Sequence, residues 1–184
     1  MGDAPRAKGT AIVQCVKALR AMGPRAREVL PQSLHGYLNE RVLVSAWYPE
    51  SDYLALITAL SKLIPAPPGV DVWEHLGTMS AQHDLTTIYR GMLRGSDLLA
   101  TVRATRELFR VYHDPVTLDV HGEGDLITLD VLDYASISAG HCRFVTAYMR
   151  THVKMCLDFD VAVTETLCRA RGDELCRREF ARIR

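Results

Sequence analysis

Cys168 and Cys176 bracket the segment Arg-Ala-Arg-Gly-Asp-Glu-Leu near the end of the chain. The alternation on either side reads as a β-hairpin, Val161 to Ala170 and Leu175 to Ile183, turning at Arg171-Gly172-Asp173. With Gly172 near the left-handed position of a three-residue loop, Cys168 falls opposite Cys176. Cross-strand partners have Cβ atoms about 4.5–5.5 Å apart, so both sulfurs reach one ion. Zinc takes four tetrahedral ligands from thiolate, imidazole and carboxylate, with Zn–S near ~2.3 Å. The helix before the hairpin offers a third thiolate at its start, Cys142, and another at its end, Cys156. These lie roughly 21 Å apart along the helix axis and cannot both serve one ion. Spacing alone leaves the choice open.

Other chemistry is weaker in the sequence. Free cysteine is among the most buried residue types, and Cys15 and Cys156 read as small core residues. The Cys168 and Cys176 pair has two further readings, a reduced thiol pair and a cross-strand disulfide. Trp73, His75, His83 and Tyr89 are a possible ligand pocket, although aromatics at helical spacing are more often plain core. His83 and His152 fall on apolar stripes and read first as satisfied core histidines, and His113 as the end of a helix. No Gly-x-Ser-x-Gly, phosphate loop, Gly-x-Gly-x-x-Gly or His-Glu-x-x-His occurs, so no catalytic residue is assigned.

The elements that must position these residues are mainly helical first. Ala11 to Ala21 ends at Gly23-Pro24, and a short helix runs from Gln32 to Asn39. Pro49-Glu50-Ser51-Asp52 opens a helix with Tyr53, Ile57, Leu60 and Ile64 on one face. Pro65-Ala66-Pro67-Pro68-Gly69 is a stiff loop rather than a domain boundary. Val72, Leu76, Met79 and His83 repeat the same face in the next helix. Ser96-Asp97 caps a third, with Leu98, Val102, Thr105 and Phe109 buried. After Asp114-Pro115 the period changes to strands over Thr117–His121 and Leu126–Val131, turning at Gly122-Glu123-Gly124-Asp125. A helix from about Ala139 to Met155 carries Cys142, Val145, Met149, His152 and Cys156 on one stripe. The expected fold is α+β: a helical N-terminal two-thirds, about 9–113, packed on a small antiparallel sheet of two hairpins flanking a helix, about 116–183. Residues 1–184 form a single domain in this reading.

Bulk properties exclude some functions. The 184 residues balance 22 Lys and Arg against 22 Asp and Glu, so no global basic field points to nucleic acid. The basic C-terminus (Arg177, Arg178, Arg182, Arg184), interleaved with Glu174 and Glu179, reads as a solvated strand face. The start, Met1 to Lys8, has no signal-peptide core, and Gly2 lacks the residue that myristoylation needs. Leu54 to Leu60 is too short to span a membrane. A cytoplasmic protein with reduced cysteines follows as the expectation.

Cys142, Glu165 in Glu165-Thr166-Leu167-Cys168, and the Cys168-x7-Cys176 pair with its internal Gly-Asp together resemble 4-vinyl-reductase-type sensor domains. These include the aromatic-effector module of phenol- and xylene-responsive activators, within a superfamily that also holds haem-based nitric-oxide sensors. The resemblance runs clearly over Tyr134 to Phe180. The earlier part (Lys8-Gly9-Thr10, Ala46-Trp47-Tyr48-Pro49, Trp73-Glu74-His75-Leu76-Gly77) is similar to a paralogous family of myxobacterial proteins. In the phenol sensors a Cys, a Glu and the Cys pair bind zinc. The resemblance therefore implies a metal site of Cys142, Glu165, Cys168 and Cys176, structural because four protein ligands leave no open position.

Two departures qualify it. Tyr134-Ala135-Ser136-Ile137-Ser138 lacks the Arg of the superfamily's Tyr-x-Ser-x-Arg, which disfavours haem. Cys176-Arg-Arg-Glu-Phe180 also has no aromatic residue two positions after the Cys. The implied function is a small-molecule sensor that takes a small apolar or aromatic ligand and signals through a protein partner or homodimer, without nucleic acid or membrane. The other classes are a ligand-free protein–protein adaptor and an enzyme-like accessory to tetrapyrrole vinyl reduction.

Overall fold

The computed structural model describes residues 4–92, 97–134 and 138–183. Met1 to Asp3, the cap residue Ser96 and Ala135-Ser136-Ile137 lie outside the described residues. The chain is α+β and divides into two compact units, Met1–Ala66 with Val111–Pro115, and Pro67–Arg110 with Val116–Arg184. The first division falls within Pro65 to Gly69, the stretch that composition alone presents as a mere loop. No helix among the described residues is long and apolar enough to cross a membrane.

In the first unit, α1 (Gly9–Ala21) and α4 (Glu50–Leu63) pack together through Ile12, Val16 and Leu19 on one side and Leu56, Ile57 and Leu60 on the other. The segment expected as one helix over Gln32 to Asn39 is a 3-10 turn, Gln32–Leu34, followed by the short helix α3, Gly36–Asn39; α2 (Pro24–Val29) precedes them. Three strands form an antiparallel sheet in the order β2-β1-β3: β1 is Arg6–Lys8, β2 Trp47–Pro49 and β3 His113–Asp114. Runs of two or three residues are too short to display a period, so sequence patterning does not reveal this sheet. His113 directly follows the helix Leu98–Tyr112, at a helix end as expected. It is buried in β3, with Nδ1 3.1 Å from the buried Glu50 carboxylate.

The second unit contains α5 (Val72–Thr86), most of α6 (Leu98–Tyr112), β4 (Leu118–Glu123), β5 (Leu126–Val131), α7 (Ala139–Cys156), β6 (Val161–Leu167) and β7 (Cys176–Arg182). Its sheet has the order β4-β5-β7-β6, all antiparallel. Glu123 pairs with Leu126, leaving Gly124-Asp125 as a two-residue turn with Gly124 at φ 60°. The expected face of α6 is buried: Leu98, Val102, Thr105 and Phe109 are all enclosed.

The face of α5 differs from its expectation. Met79 is 46% exposed and His83 lies on the surface, whereas Leu76, Gly77, Ala81, Asp84 and Leu85 are buried. Small residues decide this. A Cβ added at Gly77 would stand 2.2 Å from the Phe144 carbonyl oxygen, and one at Gly140 would stand 2.2 Å from the Trp73 ring. The backbones of α5 and α7 approach closely through glycine, and hydrophobicity alone does not register that contact. Asp71 caps α5, accepting from the backbone N–H groups of Trp73 and Glu74 at 2.9 and 3.2 Å. Gly77→Ala should therefore destabilise the protein by about 1–3 kcal/mol through overpacking, read by urea unfolding; a neutral result would contradict the close α5–α7 contact.

Candidate metal centre

The second unit brings together the side chains of Cys142, Glu165, Cys168 and Cys176. One ligand atom from each lies within 4.8 Å of the others, and the three cysteines are buried. Cys142 stands in the first turn of α7, which Ser138 caps by accepting from His141 N–H at 3.1 Å. Cys156 stands at the opposite end of that helix, half-buried, and takes no part. The five cysteines are free thiols, so the disulfide alternative is not what the structure holds.

Alternation explains how β6 supplies two members. Glu165 and Cys168 are three residues apart, and on a regular strand they would face opposite sides. Val163 pairs with Phe180 and Glu165 with Arg178, but Leu167 pairs with Arg177, so the register shifts between Glu165 and Leu167. That irregularity turns the strand by one residue. Cys168 then follows β6 in extended conformation, next to the end of β7 where Cys176 begins the strand. The connection is longer than the three-residue loop expected. A 3-10 turn over Arg169–Arg171 leads to Gly172 at φ 99°, a left-handed position. Asp173 closes it by accepting from Cys168 N–H at 2.7 Å.

Two arginines surround the carboxylate. Glu165 Oε1 accepts from Arg178 at 3.0 Å and Oε2 from Arg171 at 3.1 Å. The reading of the C-terminal arginines as a solvated face fails at Arg178, which is 2% exposed. The inner face of β7 carries Cys176, Arg178 and Phe180 at every second residue. The arginine goes inward because its guanidinium finds acceptors there, including Thr146 Oγ1 at 3.0 Å and the Cys142 carbonyl at 3.3 Å. No apolar pattern marks such a residue in advance; it stands two residues after Cys176, where the resembling domains carry an aromatic.

The thiols are electrostatically unequal. Cys176 is lowered to about 6, first by a hydrogen bond from Cys142 and, against the effect of burial, also by the Arg169 N–H and the Arg178 charge. Arg169 N–H donates to Cys176 Sγ at 3.4 Å. Cys142 is driven far upward, first by its hydrogen bond to Cys176 and then by burial. The pair is thus biased so that Cys176 ionises before Cys142.

The four residues considered as a pocket do not converge. Trp73 and His75 are half-buried near the start of α5, and His83 is exposed roughly 15 Å further along the helix from Trp73. Tyr89 follows the helix, half-buried, its N–H donating to the Asp84 carbonyl at 2.8 Å. The imidazoles enclosed in this unit are on α7 instead. His152 Nδ1 lies 2.7 Å from Thr105 Oγ1, and His141 stacks on Phe144 with centroids 5.9 Å apart and lies 5.6 Å from Tyr134.

In metal-free protein, ultraviolet thiolate absorbance should rise with an early step near pH 6, since the Cys176 thiol is lowered to about 6. As pH rises further Cys142 should stay protonated past the ordinary thiol range. Cys176→Ser should abolish the early step. Simultaneous ionisation of all sites near the ordinary value of 9.0 would contradict the unequal pair.

No protein-family model matches the sequence, and no curated protein is detectably similar to it. The fold, however, is shared with solved H-NOX domains. An oxygen-binding H-NOX domain related to soluble guanylate cyclases superposes with a TM-score of 0.61 at 12% identity, covering 96% of this chain and 95% of that one. The H-NOX protein from S. oneidensis in its Fe(II)NO state gives 0.58 at 14% identity, covering 96% and 99%. The unliganded Fe(II) H-NOX protein from K. algicida gives 0.59 at 11% identity, covering 96% and 97%. Another structure of the same fold comes from work on haem distortion in the H-NOX family. This corrects the expectation that a missing arginine disfavours haem: over 96% of the chain the fold is that of H-NOX domains, among them structures solved in Fe(II) states and one from work on haem distortion. His152 Nδ1 meets Thr105 Oγ1, whereas the His141 ring packs against those of Phe144 and Tyr134. The chain has the fold of solved H-NOX domains.

Proposed function

We propose that this chain is a regulatory small-molecule-sensing domain in which Cys142, Glu165, Cys168 and Cys176 hold a structural zinc ion. The observation that carries the metal part is the convergence of four ligand atoms within 4.8 Å, drawn from α7, β6 and the loop and strand that follow it. Three soft thiolates favour zinc over the hard cations magnesium and calcium. Bound there, zinc supplies a tetrahedral cross-link with no position left for water or substrate.

The residues do the rest. Asp173 and Gly172 fold the loop so that Cys168 turns inward, and Ser138 fixes the first turn of α7 so that Cys142 meets it. The clamp joins the start of α7 to the end of the hairpin. A ligand can bias such a domain only by binding one arrangement better than another. The readout then falls to a partner protein or a second copy. The sensing part is supported by the fold shared with H-NOX domains, one of them oxygen-binding and one solved with NO on Fe(II). A small apolar molecule or gas is the ligand class in keeping with that likeness.

The same likeness favours a second reading, a haem-carrying sensor, and absorbance separates the two. A Soret band in protein expressed with haem precursor assigns the pigment, and colourless protein that retains zinc assigns the zinc-clamped apo sensor. Elemental analysis under reducing conditions should find about one zinc per chain, absent from Cys176→Ser. Cys168→Ser should lower stability by several kcal/mol, because metal-binding energy at a structural site is folding energy. Wild-type protein free of metal, or a loss within ~1 kcal/mol, would contradict the structural-zinc reading.

A further inference from the structure

Arg178 sits on β7 two residues from Cys176, yet its guanidinium reaches away from solvent to three acceptors. Nε donates to Thr146 Oγ1 at 3.0 Å, and a terminal nitrogen serves the Cys142 carbonyl at 3.3 Å and Glu165 Oε1 at 3.0 Å. Of these acceptors only Glu165 carries charge. A guanidinium enclosed to 2% exposure is costly to bury without an anion, so Glu165 is its counter-ion. The same carboxylate belongs to the cluster with the three sulfurs.

Charge bookkeeping then links the two. Three thiolates and one carboxylate outweigh a divalent ion by two negative charges. Arg178 removes one of them inside the protein, where screening by salt is weak, and half-exposed Arg171 offsets the other at 3.1 Å from Glu165 Oε2. The geometry is equally specific. Thr146 and the Cys142 carbonyl hold the guanidinium plane in place, and the plane in turn aims the carboxylate.

We infer that Arg178 is a positioning residue for the metal site. It aims Glu165 at the thiols and supplies the buried positive charge that lets a fourth anionic ligand join three thiolates around one divalent ion. The inference rests on the metal reading above and assigns Arg178 a role beyond ligation itself. Its consequence is a coupling: Arg178 matters for zinc through the charge of Glu165. With that charge removed, the arginine has little left to contribute.

Zinc affinity of the full chain, read by competition with a chromophoric chelator, tests this, with circular dichroism confirming that each variant is folded. Arg178→Met should weaken zinc binding about 10–100-fold, the usual effect of losing an outer partner of a ligand. Arg178→Lys, which keeps the charge without the fork, should lose less. In the Glu165→Gln background the same Arg178→Met change should cost about threefold or less, which is the non-additivity of two groups that act together.

An equal loss in both backgrounds would mean that Arg178 merely packs, and would overturn the inference. So would an unchanged affinity in Arg178→Met, or a Lys variant as weak as the Met variant. If Arg178→Met does not fold, Arg178→Lys is compared with Arg178→Gln, and equal losses overturn the charge role. Wild type that binds no zinc refutes the metal reading, and this inference with it. Wild type that binds zinc with Arg178 indifferent refutes this inference alone.

Discussion

Side chains on a regular strand alternate, and Glu165 and Cys168, three residues apart, belong by that rule to opposite faces. Both reach the same cluster because the β6–β7 register slips between Glu165 and Leu167. On an unbroken ladder, Cys168 would turn toward the outer face while Cys176, Arg178 and Phe180 kept the inner one. The third sulfur would then be lost to the site, leaving Glu165 with Cys142 and Cys176. The glycine turn at 172, the Asp173 bond to Cys168 N–H and the cap of α7 at Ser138 each support a meeting point that the irregularity makes possible.

Buried charge is the second constraint. Arg178 is costly to enclose without Glu165, and Glu165 sits beside Cys176, whose thiol is lowered to about 6. Cation, carboxylate and thiolate thus form one electrostatic group rather than a ligand set with an incidental neighbour. The unit is tied together around it: α7 through Cys142 and Thr146, β6 through Glu165, and β7 through Cys176 and Arg178. An ion at the centre would reinforce contacts that hydrogen bonds already make.

Much of this was legible in the residues. Period-two runs located β4, β5, β6 and β7, and the Leu98, Val102, Thr105, Phe109 series located the buried face of α6. The set Cys142, Glu165, Cys168 and Cys176 was reached through resemblance, since spacing alone could not choose between Cys142 and Cys156. What stayed hidden has physical reasons. The β1-β2-β3 sheet is built from segments too short to show a period, and the buried Glu50–His113 pair depends on it. The face of α5 departs from its apolar series because Gly77 lets the α7 backbone approach closely, which hydrophobicity does not weigh. Arg178 reads as a surface residue in the sequence because its acceptors come from α7 and β6, far away along the chain. One missing arginine argues against haem in the sequence, whereas the fold over 96% of the chain is shared with H-NOX domains.

The central claim is that three sulfurs and one carboxylate oxygen surround a single zinc ion. X-ray absorption at the zinc edge, on full-length protein purified under reducing conditions, addresses it directly. The account predicts a shell of about three sulfur neighbours near ~2.3 Å and one oxygen neighbour near ~2.0–2.2 Å. A shell dominated by oxygen and nitrogen, or zinc that dialyses away at no cost to stability, would contradict it.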